Sequence, residues 1–130
     1  MTAIKRSINS TQAPQAVGAY SQAIESGGLV FISGQIALDP ASGLLIGEDT
    51  VSQARQVMEN LKGIVTAAGG DWSHLVKVTI YLVDLADFQA VDALYSSYLS
   101  PPYPARATVG VAALPKGARI EIDAIAHLGR

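Results

Sequence analysis

TVSQARQVMENLKGIVTAAGG, residues 50–70, is the stretch where the apolar period of this chain lengthens from two to nearly four. Its apolar positions are Val51, Ala54, Val57, Met58, Leu61, Ile64, Val65 and Ala68. They line one side of a helix and leave Gln, Arg, Glu and Lys on the other. Thr50 stands as the expected N-cap, because a hydroxyl there can accept from the first free backbone N–H groups. Gly69-Gly70 supplies the left-handed stop. An amphipathic helix needs an apolar surface to lie on, and the chain on either side supplies strands.

Toward the N-terminus, IKRSI (4–8) reads as a short strand, followed by a polar turn through NSTQAPQ. AYSQAIE (19–25) and LVFISG (29–34) read as two more strands, joined by Gly27-Gly28, a hairpin signal. LDPASG (38–43) is punctuated as another turn. Toward the C-terminus, LVKVTIYLV (75–83) is a strand. Val76, Val78, Ile80 and Leu82 form its apolar face, and Leu75, Lys77, Thr79, Tyr81 and Val83 a mixed one.

Asp87 is then expected to cap a second helix, with Phe88, Val91, Leu94, Tyr95 and Tyr98 or Leu99 inward; SPPYP (100–104) ends it. ARATVGVAA and ARIEIDAIA read as a terminal hairpin around LPKG. In its second arm Ile120, Ile122, Ala124 and Ala126 oppose Arg119, Glu121, Asp123, Ile125 and His127. The order βββαβαββ gives an α+β two-layer sandwich, two helices covering one face of a mixed but mostly antiparallel sheet. The other face is partly apolar, and a homo-oligomer would cover it.

Size and composition narrow the function classes. A chain of 130 residues fits a single domain spanning 1–130. No apolar run approaches the ~20 residues of a membrane span, so no membrane partner is expected. A net charge of −2 argues against nucleic acid held on a broad basic footprint. The absence of cysteine excludes disulfides, thiolate metal sites and thiol nucleophiles, and fits a reducing, cytoplasmic setting. MTAIKRSINS has no apolar core of a secretory signal.

Phosphate-binding glycine loops are missing. His74 and His127 stand far apart with no carboxylate at ligand spacing, so no metal and no cofactor is expected. Ser21 and Ser33 lack a nucleophile elbow. Glu121 and Asp123 share a strand face two residues apart. Arg106 is a permanent charge in an apolar strand, and the terminal hairpin would set it beside Glu121, as a salt bridge or as part of a site. Tyr20 reads as a packing aromatic.

PARATVGVAALPKGARIEI (104–122) resembles the signature of the reactive-intermediate deaminase (Rid, YjgF-type) family, which carries the arginine and the glutamate at a constrained gap. VGAYSQA (17–23), FISGQIALDPASG (31–43), SQARQVMENLKGIVTAAG (52–69) and VKVTIYLVDLADFQAVDALYSSYL (76–99) resemble its remaining segments. The resemblance implies a chorismate-mutase-like fold, a homotrimer with sites between subunits, and hydrolysis of 2-aminoacrylate-type enamines and imines to 2-keto acid and ammonia. It makes Arg106 the anchor of the substrate carboxylate and Glu121 the group that orients water. Tyr20, Ser33 and Gly34 become pocket walls, with Asp92 and Thr108 nearby.

Three positions depart from the family pattern. Ala19 stands for the usual proline, Asp92 for a frequent asparagine, and Thr108 for a frequent cysteine. A carboxylate at 92, if it reaches the pocket, competes for Arg106. Two other readings share the residues: a non-catalytic module that binds small carboxylates in the same cleft, and an RNA-cleaving translation inhibitor.

Overall fold

The structure, a computed structural model, describes residues 4–129. Its strands are β1 (Arg6–Ile8), β2 (Ala23–Ser26), β3 (Leu29–Gln35), β4 (Leu75–Leu82), β5 (Ala105–Gly110) and β6 (Ile120–His127). Its helices are α1 (Thr50–Ala67) and α2 (Phe88–Tyr98). The α+β sandwich and the order βββαβαββ stand as expected. One sheet runs β1-β2-β3-β6-β4-β5, and every neighbouring pair is antiparallel except β4 with β5.

That order overturns the terminal hairpin. β6 inserts between β3 and β4, and β5 lies parallel to β4 at the sheet edge. The cause is connectivity: α2 carries the chain back to the start of β4, as a parallel neighbour requires. The alternating Ile120, Ile122, Ala124 and Ala126 of β6 then fill the sheet centre.

Both helices lie on one face. Val57, Met58, Leu61 and Ile64 of α1 and Val91 and Leu94 of α2 pack with Val30, Ile32, Val78, Ile80, Ile120 and Ile122. Each such buried side chain contributes roughly 1.5–3 kcal/mol. The opposite face carries Phe31, Thr79, Tyr81, Val109, Glu121, Asp123 and Ile125, with Phe31 and Val109 exposed.

Local chemistry corrects four expectations. Asp49, extended at φ −113°, is the N-cap of α1, and its carboxylate accepts from the Ser52 N–H. Thr50 is instead the first helical residue. Its buried hydroxyl donates to Asp87 at 2.5 Å and accepts from Arg119 Nε at 2.8 Å. Asp87 stands at the start of α2, but its carboxylate serves Thr50 rather than the helix; Asp84 caps the short turn Leu85–Asp87 before it.

In β4, Leu75 and Lys77 face the consecutive β6 residues Ala126 and Ile125, a β-bulge that turns Val76 outward and Leu75 into the core. The fourth correction is the strand over 19–25, of which only the end survives. Residues 18–22 are irregular because buried Gln22 bonds across to the N-terminal segment, accepting from the Ser10 N–H and donating to the Pro14 carbonyl. The Gly27-Gly28 turn and the α1 stop both hold. Gly69 at φ 92° lets its own N–H and that of Gly70 reach the Thr66 and Val65 carbonyls.

Candidate active site

Arg106 lies on β5, opposite Val78 of β4, and therefore projects to the helix side of the sheet. There its guanidinium stacks on Phe88 at 5.1 Å and on Tyr95 at 5.2 Å, measured to the ring centroids. Nη1 donates to Asp92 Oδ1 at 2.5 Å. Phe88, Asp92 and Tyr95 follow one another at helical spacing, so one stripe of α2 builds this whole seat. Asp92, Tyr95, Ser96, Tyr103, Pro104 and Arg106 line a cleft of about 450 Å³. The Tyr95 hydroxyl is buried without a hydrogen-bond partner among the described residues. Burial pushes its pKa up, with the Arg106 charge opposing and the Asp92 charge assisting. Thr108 is two residues further along the same face of β5 and is half-buried.

Glu121 lies on β6 opposite Tyr81, on the face without helices. Its carboxylate rests directly over Gly34, where any Cβ would collide with it. Gly34 sits in a bulge of β3, between the residues paired with Ala124 and Ile122. Burial first, then the charge of Asp123, raises the Glu121 carboxyl above its ordinary value of 4.5. Asp123 itself accepts from the Tyr81 hydroxyl at 2.8 Å, which holds that charge in place. The cavity beside Glu121 measures about 630 Å³, and Tyr20, Gln22, Gly34 and Lys116 also line it.

Tyr20 is held by a turn at Gly18 (φ 114°), where its N–H reaches the Gly18 carbonyl. The Ser33 hydroxyl donates to the Ser21 carbonyl at 2.6 Å, tying the β3 bulge to the Tyr20 segment; it does not line the cavity.

Within one chain these residues form two groups. Glu121, Gly34 and Tyr20 belong to the open face; Arg106, Asp92 and Thr108 belong to the helix side. β4 separates β5 from β6, so the expected pairing of Arg106 with Glu121 on adjacent strands does not occur. Arg106 pairs with Asp92 instead. Asp92 thus reaches the Arg106 guanidinium and occupies its Nη1.

Sequence reasoning placed Phe88 and Tyr95 only as core residues; their flanking of Arg106 follows from the β5 register, which no local pattern discloses. Lys116, in the left-handed region at φ 59°, belongs to the LPKG turn, and nothing in that local pattern signals that it lines the Glu121 cavity. Among the described residues no group of three or more His, Asp or Glu side chains is placed to hold a metal, and no helix is long and apolar enough to cross a membrane.

A family model described as Endoribonuclease L-PSP matches residues 10–128, which carry both groups of site residues. The chain belongs to this family, the reactive-intermediate deaminases. The Rid chain is 52% identical to Protein DfrA of Myxococcus xanthus over 94% of its length and 95% of the relative's. It is 46% identical to the 2-iminobutanoate/2-iminopropanoate deaminase of Mus musculus, covering 97% of this chain and 93% of that one. Among solved structures it is similar to RidA from the Antarctic bacterium Psychrobacter, with a TM-score of 0.90 and 47% identity over 94% and 98% of the two chains.

Proposed function

We propose that the chain hydrolyses 2-imino acids, and the enamines in equilibrium with them, to 2-keto acids and ammonia. The clefts that do so are completed by neighbouring copies of the chain. The observation that carries this reading is the division of the site residues between the two faces of one sheet. The cation suited to a carboxylate and the carboxylate suited to a water cannot meet within a chain, yet a second copy laid on the open face can bring them together. A homotrimer closes such contacts, each cleft taking one face from each of two neighbours. Phe31 and Val109, exposed on the open face, are apolar surface that this assembly would cover.

In the cleft, Arg106 binds the substrate carboxylate through charged hydrogen bonds and fixes the C=N carbon in front of Glu121. Glu121, with its pKa raised, is a better base than a solvated glutamate. It takes a proton from water as the oxygen bonds to the carbon of the protonated imine, and the π pair moves to nitrogen, which becomes a neutral amine. Glu121 then returns that proton to the amine; the C–N bond breaks as the oxygen lone pair forms C=O, the hydroxyl proton passes to solvent, and ammonia and the keto acid leave. Tyr20 and the Gly34 backbone wall the pocket. No cofactor or metal is required, because the imine carbon is already electrophilic.

Relatives named as iminobutanoate and iminopropanoate deaminases support the substrate class. A carboxylate-binding module without catalysis would need Arg106 but not Glu121. An RNA-cleaving role would need a track of cations, and the two cavities offer only Arg106 and Lys116.

The test generates the imine of pyruvate in place, from serine and a dehydratase, and follows keto-acid release. Wild-type protein accelerates release, and Arg106→Ala and Glu121→Gln each abolish most of the gain. Co-assembling the two inactive variants in equal amounts restores roughly a quarter of the wild-type rate, because about a quarter of all clefts then draw an intact Arg106 from one chain and an intact Glu121 from the other. No acceleration by wild type refutes the activity. No restoration on mixing refutes the shared cleft.

A further inference from the structure

We propose that Asp92 makes the Arg106 cleft selective for carboxylates that bear a cationic nitrogen on the adjacent carbon, over carboxylates that bear none. The inference rests on the reading of Arg106 as the carboxylate anchor.

The argument begins with how little freedom the guanidinium has. Phe88 and Tyr95 lie against it, with ring centroids 5.1 and 5.2 Å from its central carbon, which restricts its movement. Asp92 Oδ1 already occupies Nη1, and Asp92 is the only hydrogen-bond partner of the group among the described residues. A ligand carboxylate therefore takes the remaining edge, Nη2 and Nε, and lies beside the Asp92 carboxylate on the same cation. One positive charge then faces two negative ones. A plain carboxylate binds against that repulsion.

A protonated nitrogen on the α-carbon changes the balance. It lies about 2.5 Å from the carboxyl carbon, close enough for a ligand anchored on Arg106 to place it against the second oxygen of Asp92. Arg106 and Asp92 both line the cleft, so the two receptors face the same space. Together they read an adjacent anion and cation, the charge pattern of a protonated 2-imino acid. Hydrolysis replaces that nitrogen with a keto oxygen. The product then meets Asp92 with no cation of its own, and its release is favoured. Asp92 would thus bias the cleft toward substrate and against product.

A purely structural Asp92, one that only fixes the Arg106 side chain, would act on all carboxylates alike. Ratios of affinities separate the two roles. The probes are L-alanine, which carries an ammonium group at neutral pH, with propanoate and pyruvate, which have the same carbon skeleton and no cation. Binding is measured by calorimetry or ligand-observed NMR to wild type, Asp92→Asn and Arg106→Ala. Asparagine keeps the shape and an oxygen for Nη1, so the fold and the Arg106 seat survive.

Wild type is expected to prefer alanine over propanoate on the order of tenfold, a moderate figure because Asp92 is partly exposed. Asp92→Asn should tighten propanoate and pyruvate, weaken alanine and so reverse or erase the preference. Arg106→Ala should weaken all three. An alanine-to-propanoate ratio that is unchanged by Asp92→Asn overturns the role of Asp92 while leaving the anchor intact. Undiminished binding to Arg106→Ala overturns the anchor, and this inference with it.

Discussion

Replacing Gly34 by alanine perturbs the position of Glu121 with the smallest available group. A Cβ at residue 34 falls 2.3 Å from Glu121 Oε2, 2.8 Å from Cδ and 3.2 Å from Cγ. Ordinary contact begins at 3.4 Å, so the carboxylate must retreat by about 1 Å. The backbone raises no objection, because Gly34 is not among the glycines with positive φ. Displacing the free end of one glutamate costs about 1 kcal/mol if it is forced off its rotamer. The smaller entropy of the unfolded alanine chain offsets roughly 0.4–1 kcal/mol of that. Global stability should hardly change.

Catalysis should change a great deal. If Glu121 orients the attacking water as proposed, a displacement near 1 Å costs on the order of 100-fold, or about 2.7 kcal/mol of barrier. In the coupled serine-dehydratase assay, kcat falls by that amount. KM should stay close to wild type, because Arg106, the proposed carboxylate anchor, is untouched. The thermal midpoint, read at fixed chain concentration, moves little. In a Glu121→Gln background the same alanine adds almost nothing, since the group it displaces is already disabled. A Gly34→Ala protein with full activity would refute the claim that the glycine exists to seat this carboxylate; an equal further loss in the glutamine background would refute it as well.

One further outcome concerns the charge of the same carboxylate, and another a buried hydroxyl of α1. The Glu121 carboxyl has a folded-state pKa above its ordinary 4.5, so its contribution to stability is fully present below that value and is lost as pH rises through the folded pKa. Glu121→Gln should therefore match wild type in urea unfolding near pH 4 and exceed it at pH 7; a variant less stable at pH 7 than at pH 4, relative to wild type, would contradict this. Thr50→Val keeps shape but removes a buried hydroxyl that bridges Asp87 and Arg119, costing about 2 kcal/mol by chemical denaturation while leaving imine hydrolysis unaffected; a cost below about 0.5 kcal/mol would mean the bridge is replaced by water.

Much of this fold is legible where a residue answers only to its neighbours in sequence. The α1 stripe, the Gly69 stop, the Gly27-Gly28 turn and the inward face of β6 all follow from period and backbone preference. The errors fall where two local answers compete and tertiary contacts choose. Asp49 and Thr50 can each cap α1; Thr50 is drawn away because Asp87 and Arg119 arrive from elsewhere in the chain. Val76 fits an inward position by alternation, and only the pairing with β6 inserts the bulge that turns it outward. Tyr20 to Gln22 look extended, but the amide of Gln22 is needed by the segment around Ser10 to Pro14.

The site shows the same division more sharply. The residue types were legible: an arginine in an apolar strand and a glutamate on a mixed strand face are both costly unless they bind something. Their placement was not, because consecutive strands around a short turn usually pair, and here they do not. Moving β5 to the far side of β4 alters the chemistry as well as the drawing. On a terminal hairpin Arg106 and Glu121 would neutralise each other, and each would lose the property the proposed reaction needs. With β4 between them and opposite faces of the sheet to occupy, Arg106 keeps an edge of its guanidinium for an incoming carboxylate. Glu121, on the other face, has no ion pair to the Arg106 of its own chain, and burial with the Asp123 charge raises its carboxyl. In the proposed assembly, the separation that keeps the two groups on different faces of one chain is what leaves each available for a second copy to bring to one substrate.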